Sequence, residues 1–303
     1  MEAIKSIESV SNNGYHDDHG LQLLPQSEKN FAAAHLNEDD TTTTEKIQEI
    51  RDWIVSNDKL HARTDNFTIL RFLRCCKFNL DKTKKKIYNY YAQRIESPDW
   101  FSDRHPFSPE LQEIFNLGYF LPLRELDAEG RMIIILRVTI HNPRKHQFAH
   151  LIKGGKMILD IATKNNVMVS LHGVVVIMDM TGVSLRHALQ LTPNVIQRLV
   201  HSWQECYPLR IQSFNVVNAP IHINTVLSIF KQFMKPKLRE KITIHSETIN
   251  NFFVTHYPKS CHLLPVEFGG TTGTLQNLKE YWKNEVENNS AWYIEEEKYR
   301  VIL

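Results

Sequence analysis

The stretch Gly173-Val-Val-Val-Ile-Met-Asp-Met180 decides the fold, because it is a run of apolar residues closed by an acid. The run shows no period-two alternation, so it predicts a strand that is covered on both faces. After a helical segment from Pro193 to Glu205, a second apolar strand follows at Ser213-Phe-Asn-Val-Val-Asn218. A strand, a helix and a second strand in this order predict a parallel sheet with a crossover helix.

An amphipathic helical segment, about residues 220–241, follows the second strand. Ala219-Pro220 ends that strand, and the apolar residues beyond it recur at helical spacing. These apolar residues are Ile223, Val226, Leu227, Phe230 and Phe233. The end of the segment is basic and carries Lys231, Lys235, Lys237, Arg239 and Lys241. An apolar helix with a basic end, placed against a sheet, indicates a lid that also touches an anionic surface; we call this segment the gate.

The rest of the chain divides into a helical bundle, a larger α/β domain and two flanking segments. Residues 1–43 are polar and are expected to be poorly ordered, because they offer little apolar surface to offset chain entropy. Residues 44–100 predict three short helices that lean on the larger domain, residues 101–273. Residues 274–303 contain Trp282 among many charges and predict a helix that packs on the body.

Composition limits the partners that the chain can have. The 303 residues carry a formal net charge of +2, which argues against binding nucleic acid over the whole surface. Any binding of an anionic partner by basic residues must therefore be confined to a local patch. Four neighbouring lysines, Lys82, Lys84, Lys85 and Lys86, predict a solvated helix face.

The sequence indicates a cytoplasmic protein. No apolar run reaches the 18 residues that a membrane span needs, and Met1 to Glu8 lack the features of a secretory signal. The four cysteines match no metal-ligand pattern and are expected to be free thiols in a reducing compartment.

No convergent catalytic set emerges from the patterns. The glycine-rich phosphate loops, the nucleophile elbow and the HExxH pattern are all missing, so no metal site and no cofactor are expected. Asp179 ends a buried strand and is either a catalytic acid or a residue that holds the following turn. These residues favour a protein with an apolar pocket under a movable lid and argue against an enzyme.

Five motifs together resemble the CRAL-TRIO family of lipid-transfer proteins, and the subgroup of α-tocopherol transfer protein and cellular retinaldehyde-binding protein fits best. The motifs are Ile69-Leu-Arg-Phe-Leu-Arg-Cys-Cys-Lys-Phe78, Ile177-Met-Asp-Met-Thr-Gly182, Tyr207-Pro-Leu-Arg210, Val216-Val-Asn-Ala-Pro220 and Leu264-Pro-Val-Glu-Phe-Gly-Gly270. The resemblance covers about residues 44–273. It implies a mostly parallel sheet whose helices form a lipid pocket, closed by the gate and preceded by the helical bundle.

The resemblance also implies that basic residues beside the gate hold phosphoinositide headgroups of a membrane. The matching positions are Arg210, Gln212, Lys237 and Lys241. Gln212 carries no charge, and Lys231, Lys235 and Arg239 could compensate, since each basic residue near an anionic membrane adds about 1 kcal/mol.

The implied cargo is a prenyl or polyene lipid. The tocopherol pocket aligns with Val174, Met178, Leu199, Ser202, Trp203, Leu209, Ile211 and Phe214. Two further positions fall on Lys156 and Asp160, which are four apart on one helix face. These two could pair with each other, polarise the polar end of a ligand or lie on the surface. Buried phosphatidylinositol is disfavoured, because Cys76 and Leu209 replace the residues that hold its headgroup in the yeast branch.

Two functions remain open. The first is a soluble carrier that binds one tocopherol-, retinoid- or carotenoid-like ligand and exchanges it at phosphoinositide-containing membranes, with which it associates transiently. The second is a lipid-sensing adaptor that does not transport its ligand and presents it to a protein partner, whose identity the sequence does not give. An enzyme that uses Asp179 is a distant third.

Overall fold

The computed structural model describes residues 23–221 and 223–302 of the chain. The elements before the central sheet are α1 (Gln26–Leu36), α2 (Thr43–Val55), β1 (Leu60–His61), α3 (Asn66–Cys75), α4 (Leu80–Glu96) and α5 (Pro98–Phe101). The next elements are α6 (Pro109–Leu117), β2 (Phe120–Leu126), β3 (Met132–Arg137), α7 (Phe148–Thr163), α8 (Val167–His172), β4 (Val174–Asp179), α9 (Leu185–Leu189), α10 (Pro193–His201) and β5 (Ile211–Val217). The last elements are α11 (Ile223–Phe233), α12 (Pro236–Arg239), β6 (Ile242–Ile244), α13 (Ile249–His256), α14 (Leu275–Asn288), α15 (Ser290–Glu296) and β7 (Arg300–Val301).

The central sheet has the strand order β2-β3-β4-β5-β6. β2 runs antiparallel to β3, whereas β3, β4, β5 and β6 are mutually parallel. β4 lies in the middle, and its first four side chains are almost completely buried because helices such as α7 and α13 contribute to the same core. The prediction of a mostly parallel α/β sheet is confirmed.

The helix predicted from Pro193 to Glu205 is shorter than expected. α10 ends at His201, and Ser202–Cys206 form one turn of π-helix. The amide of Tyr207 donates to the carbonyl of Ser202 at 3.1 Å, which closes this wider turn. A π-turn of this kind often marks a functional site, and here it carries Trp203.

The gate is broken into two helices, not the single helix that the sequence predicted. α11 ends at Phe233, and α12 starts at Pro236. Lys235 is extended, with φ −68° and ψ 152°, because the proline ring disfavours helical geometry in the residue before it. The break separates the basic end of the gate from its apolar helix.

The helical bundle shares its core with the body of the protein. Ile50 and Leu73 are completely buried in a cluster that also contains Leu199 and Val200 of α10 and Phe230 of the gate. The bundle therefore packs against the elements that close the candidate pocket.

Residues 23–43 are ordered, which corrects the expectation for this part of the chain; residues 1–22 lie outside the described residues. Ala32 and Leu36 of α1 are buried against Leu171 of α8. Glu38 and Arg74 form a buried ion pair at 2.8 Å. The two apolar contacts and the ion pair offset the entropy that composition alone suggested would dominate.

Residues 275–302 join the bundle to the sheet. The indole of Trp282 on α14 donates to the carbonyl of Pro122 at 2.7 Å. Glu296 on α15 pairs with Arg94 of the bundle at 2.7 Å and also with Arg63. β7 pairs antiparallel with β1.

Candidate functional site

The gate lies closed over the sheet and α10. Ile223 and Leu227 on α11 belong to the core of the sheet, whereas Phe230 belongs to the core of the bundle. The Phe230 ring is parallel to that of Trp203, with an interplanar angle of 9° and centroids 6.3 Å apart. Trp203 in turn contacts Phe214 of β5 at 5.7 Å. The other two predicted gate residues, Val226 and Phe233, are half-buried against the bundle core.

The structure places the predicted pocket residues in two settings. Val174, Phe214, Leu199 and Ser202 are buried. Met178, Trp203, Leu209 and Ile211 are half-buried and pack against the core. Three of these half-buried side chains, those of Trp203, Leu209 and Ile211, line a large groove.

The groove has a volume of about 1530 Å³ and lies between the bundle and the basic end of the gate. Among the described residues, ten basic and two acidic side chains line it. The bundle contributes Lys77, Lys82, Lys85 and Lys86, and the gate side contributes Arg210, Lys235, Lys237 and Lys241. We call it the basic groove. Such an excess of cations on facing walls suits a ligand group with several negative charges.

Burial acts on two cations of the groove, Arg210 and Lys241. The Nε and Nη2 atoms of Arg210 are buried and find no hydrogen-bond partner among the described residues. Burial lowers the pKa of the Arg210 guanidinium. Burial lowers the pKa of Lys241 as well, and the positive charges of Lys237 and Arg210 lower it further. Lys241 donates to the carbonyl of Ile211, whereas the two Arg210 nitrogens have no described partner. An anion that pairs with these neighbouring, mutually repelling cations would therefore bind favourably.

A thiol lies beside these cations. A hydrogen bond from Cys76 lowers the pKa of Cys75 to about 6; burial opposes this shift, and the charges of Lys86, Arg210 and Lys237 add to it. The cations of the groove therefore favour the thiolate form of Cys75, although the hydrogen bond contributes most.

The predicted headgroup positions are only partly brought together. The basic groove contains Arg210, Gln212, Lys235, Lys237 and Lys241, but its described lining does not include Lys231 or Arg239. The amide nitrogen of Gln212 donates to the carbonyl of His172 at 2.7 Å, so this side chain supports the groove wall.

Sequence reasoning missed the contribution of the bundle to the groove. Lys82, Lys85 and Lys86 were interpreted as a solvated helix face, yet all three line the basic groove, while Lys84 pairs with Glu49 at 2.8 Å. Their spacing on one face of α4 was a visible signal. What faces that side of α4 depends on how the bundle docks.

Lys156 and Asp160 are buried and do not pair with each other, so the surface and mutual-pair interpretations are wrong. The ammonium of Lys156 donates to Ser202 Oγ at 2.6 Å and lies over the rings of Phe101 and Tyr207. The carboxylate of Asp160 accepts from Arg104 at 3.1 Å. Each of these two side chains has its own partner at a different point of the bundle interface.

Asp179 holds the turn after β4. Its Oδ1 accepts hydrogen bonds from the amide and the hydroxyl of Thr181 and from the side-chain amide of Asn218. Because one carboxylate oxygen accepts three hydrogen bonds, Asp179 has a structural role. Holding the turn is the second of the two roles that the sequence left open.

The comparisons with known proteins agree with this architecture. The family profile described as the CRAL/TRIO domain matches residues 116–270, just over half of the chain. The chain is a member of the CRAL/TRIO family. A second profile, described as a Pinta-like UBA domain, matches residues 39–111. The basic groove lies where the CRAL/TRIO domain meets this second segment.

Relatives of the whole arrangement include clavesins. Clavesin-1 from Xenopus laevis is 29% identical over 237 residues, which cover 78% of this chain and 70% of that protein. Clavesin-2 from Mus musculus is 28% identical over 240 residues, covering 79% and 72% of the two chains. The crystal structure of Sfh5 aligns with a TM-score of 0.49 at 14% identity, covering 85% of this chain and 92% of that one.

Membership of the CRAL/TRIO family supports the lipid-binding role that the resemblance implied. Within the described part of the chain, no helix is long and apolar enough to cross a membrane.

Proposed function

We propose that this CRAL/TRIO protein is a cytoplasmic carrier, transiently associated with membranes, that holds one hydrophobic ligand between its sheet and the gate. The ligand would be exchanged at membranes that contain phosphoinositides. The single observation that carries this proposal is that Trp203, which lines the basic groove, also contacts Phe230 of the gate. A membrane headgroup and the gate would therefore act on the same side chain.

Charge complementarity supports a phosphoinositide as the membrane contact. A polyphosphorylated inositol presents several anionic oxygens in a small volume, and Arg210 offers two buried donors without partners to receive them. Lys237 and Lys241 lie on the same wall, and Lys82 and Lys85 come from the opposite side. A headgroup bound between these walls would contact both the bundle and α12.

Gate opening at the membrane follows from differential contacts. In the closed state α11 is held by the contact between Trp203 and Phe230. A headgroup that binds Lys237 and Lys241 more tightly in the open state would shift the equilibrium by the difference in affinity.

We propose that the cargo is a tocopherol-, retinoid- or carotenoid-like molecule, as in the subgroup of the tocopherol and retinaldehyde carriers. Met178 and Phe214 on the sheet, together with Leu199 and Trp203, would contact an apolar chain. Leu209 cannot accept hydrogen bonds from inositol hydroxyls, which argues against phosphatidylinositol as the buried cargo. No catalytic role is proposed.

The test is transfer of a fluorescent tocopherol analogue from the protein to vesicles, with the double variant Lys237→Ala and Lys241→Ala. At about 1 kcal/mol per cation, the variant should bind phosphoinositide vesicles roughly 30-fold more weakly and transfer ligand more slowly. Ligand binding in solution should remain. The double variant Lys231→Ala and Arg239→Ala is the matched control, because it removes the same charge from the gate outside the groove.

Three outcomes would contradict the proposal. The first is an equal loss of transfer in the control variant. The second is transfer that phosphatidylserine vesicles of equal total charge support as well as phosphoinositide vesicles do. The third is a protein that binds no tocopherol, retinoid or carotenoid analogue at all.

The second candidate is an adaptor, and one observation favours it. The Pinta-like UBA match over residues 39–111 indicates a segment suited to protein interaction. An adaptor would bind ligand but show no ligand transfer to any vesicle, and it would instead recruit a protein partner through this segment in a ligand-dependent way.

A further inference from the structure

Three potential metal ligands meet beside the last strand of the sheet, away from the basic groove. His245 follows β6, Glu247 lies in the next loop and His256 is in the last turn of α13. One nitrogen or oxygen of each residue lies within 4.8 Å of the others. Sequence analysis predicted no metal site, because the spacing of these residues matches no metal-binding motif.

The separations from Glu247 to the two histidines suit a tetrahedral ion. His245 Nδ1 is 3.6 Å from Glu247 Oε1, and His256 Nε2 is 3.3 Å from the same oxygen. Two ligands that each lie about 2.1 Å from a tetrahedral zinc ion are about 3.4 Å apart. The two distances fall on either side of this value, and His256 is exposed enough to adjust.

The hydrogen bonds around His245 make its Nε2 a donor, so that Nδ1 of the neutral ring is free to bind a cation. Asn215 uses its amide nitrogen on Ser213 Oγ and the carbonyl of Val176, so its Oδ1 is an acceptor for the hydroxyl of Thr243 at 2.7 Å. With its only hydrogen committed, Thr243 Oγ1 accepts from Nε2 of His245 at 3.0 Å. The Nδ1 lone pair then faces the carboxylate of Glu247, an arrangement that a cation between them would relieve.

From this geometry we propose that His245, Glu247 and His256 bind one zinc ion, with water as the fourth ligand. Two imidazoles and a carboxylate are a donor set that zinc accepts, whereas calcium and magnesium prefer oxygen ligands alone. The hydrogen bond from His245 to Thr243 is the kind of outer contact that orients a ligating histidine.

The site would brace the point from which the gate departs. The amide of Ala219 donates to the carbonyl of His245 at 3.1 Å, and the amide of Asn218 donates to the carbonyl of Glu247 at 2.9 Å. Residues 218 and 219 lead directly into the gate, and β6 follows it. A metal ion that joins this loop to α13 would therefore stabilise the backbone to which both ends of the gate connect.

The experiment is titration of the chelator-treated full chain with zinc chloride, followed by calorimetry. One ion should bind per chain in wild-type protein, and His256→Gln and Glu247→Gln should each weaken binding at least 100-fold. His105→Gln changes an exposed histidine elsewhere and is the matched control. The double variant Cys75→Ser and Cys76→Ser should also bind normally, which separates this site from adventitious binding by the two adjacent thiolates.

Cobalt substitution and one outer-contact variant complete the test. Cobalt bound here should give a tetrahedral visible spectrum without the charge-transfer band that thiolate ligands add. Thr243→Val should weaken zinc binding about 10- to 100-fold without removing a ligand. Because His256 is exposed, its replacement leaves the fold intact, as circular dichroism should verify. Non-stoichiometric binding, or stoichiometric binding unchanged in His256→Gln and Glu247→Gln, would overturn the proposal.

Discussion

Replacing Lys156 by methionine should stabilise the protein, although it removes a hydrogen bond. The Lys156 ammonium lies at the bundle interface, bonded to Ser202 and surrounded by aromatic rings. Burial lowers the pKa of Lys156 from 10.5 to about 7, and the charge of Asp160 only partly opposes this shift. Folding therefore works against the charged form of this lysine.

The size of the effect follows from the pKa. One pH unit corresponds to about 1.4 kcal/mol, so the shift from 10.5 to about 7 costs about 5 kcal/mol of stability when lysine is charged in both states. The methionine variant escapes this cost but loses the hydrogen bond to Ser202 and the contacts with the rings, together about 2 to 3 kcal/mol. The net gain should be about 2 kcal/mol near pH 6.

The gain should also depend on pH. Between pH 7 and 10.5 the unfolded chain binds a proton at Lys156 that the folded chain does not, so wild-type stability rises with pH in this window. The advantage of the variant should therefore vanish near pH 8.5 and become a deficit of about 1 kcal/mol near pH 9.5. Urea unfolding followed by circular dichroism at pH 6 and pH 9.5 measures both values.

Lys153→Met provides the matched control, since Lys153 lies on the same helix, is half-buried and donates to the carbonyl of Ser102. This variant should show no comparable gain. A methionine at 156 that unfolds at lower urea than wild type at pH 6, or whose gain is the same at both pH values, would refute the reasoning.

Three further predictions concern the frame of the site. Glu296→Gln leaves the buried Arg94 without its carboxylate and should lower the free energy of unfolding by about 3 to 5 kcal/mol near pH 7. Burial raises the pKa of Glu296, but the charges of Arg94 and Arg63 outweigh it, so the pKa is lowered overall. In urea titrations the difference in stability between wild type and Glu296→Gln should therefore fade as the pH drops below the usual glutamate range. Gly173→Ala puts a Cβ 2.2 Å from the Arg210 carbonyl at φ +82° and should cost about 2 kcal/mol or more; unchanged urea unfolding would contradict this. Phe230→Ala removes the ring next to Trp203, so hydrogen exchange should accelerate in residues 223–233 but not in β4.

The sheet and the gate could be predicted because their signals are local. β4 is a continuous apolar run, and a run that is buried on both faces needs no knowledge of its neighbours to be recognised. The spacing of Ile223, Leu227 and Phe230 likewise defines a buried helix face within a few residues. The break before Pro236 could also have been predicted, since proline restricts the conformation of the residue before it. Basic residues lie on both sides of the break, however, and this made the segment look like one continuous helix.

The site could not be predicted in full because its residues meet only through docking. Lys82 and Lys237 face one groove because the bundle packs against α10 and the gate, and no local pattern encodes that contact. Lys156 and Asp160 share a helix face, as their spacing indicated, yet each finds a nearer partner on another element. His245 and His256 are joined by the turn between β6 and α13, which brings them together without a recognisable motif.

The pairing of β1 with β7 and of Arg94 with Glu296 has a consequence for synthesis on the ribosome. Glu296 lies 202 residues after Arg94, and at about 5 to 20 residues per second these residues take roughly 10 to 40 seconds to make. During that interval α4 exists without the carboxylate that neutralises its buried arginine, and Leu60 exists without its strand partner. The ion pair of Arg94 and the pairing of β1 therefore form only after residues 290–302 have left the ribosome.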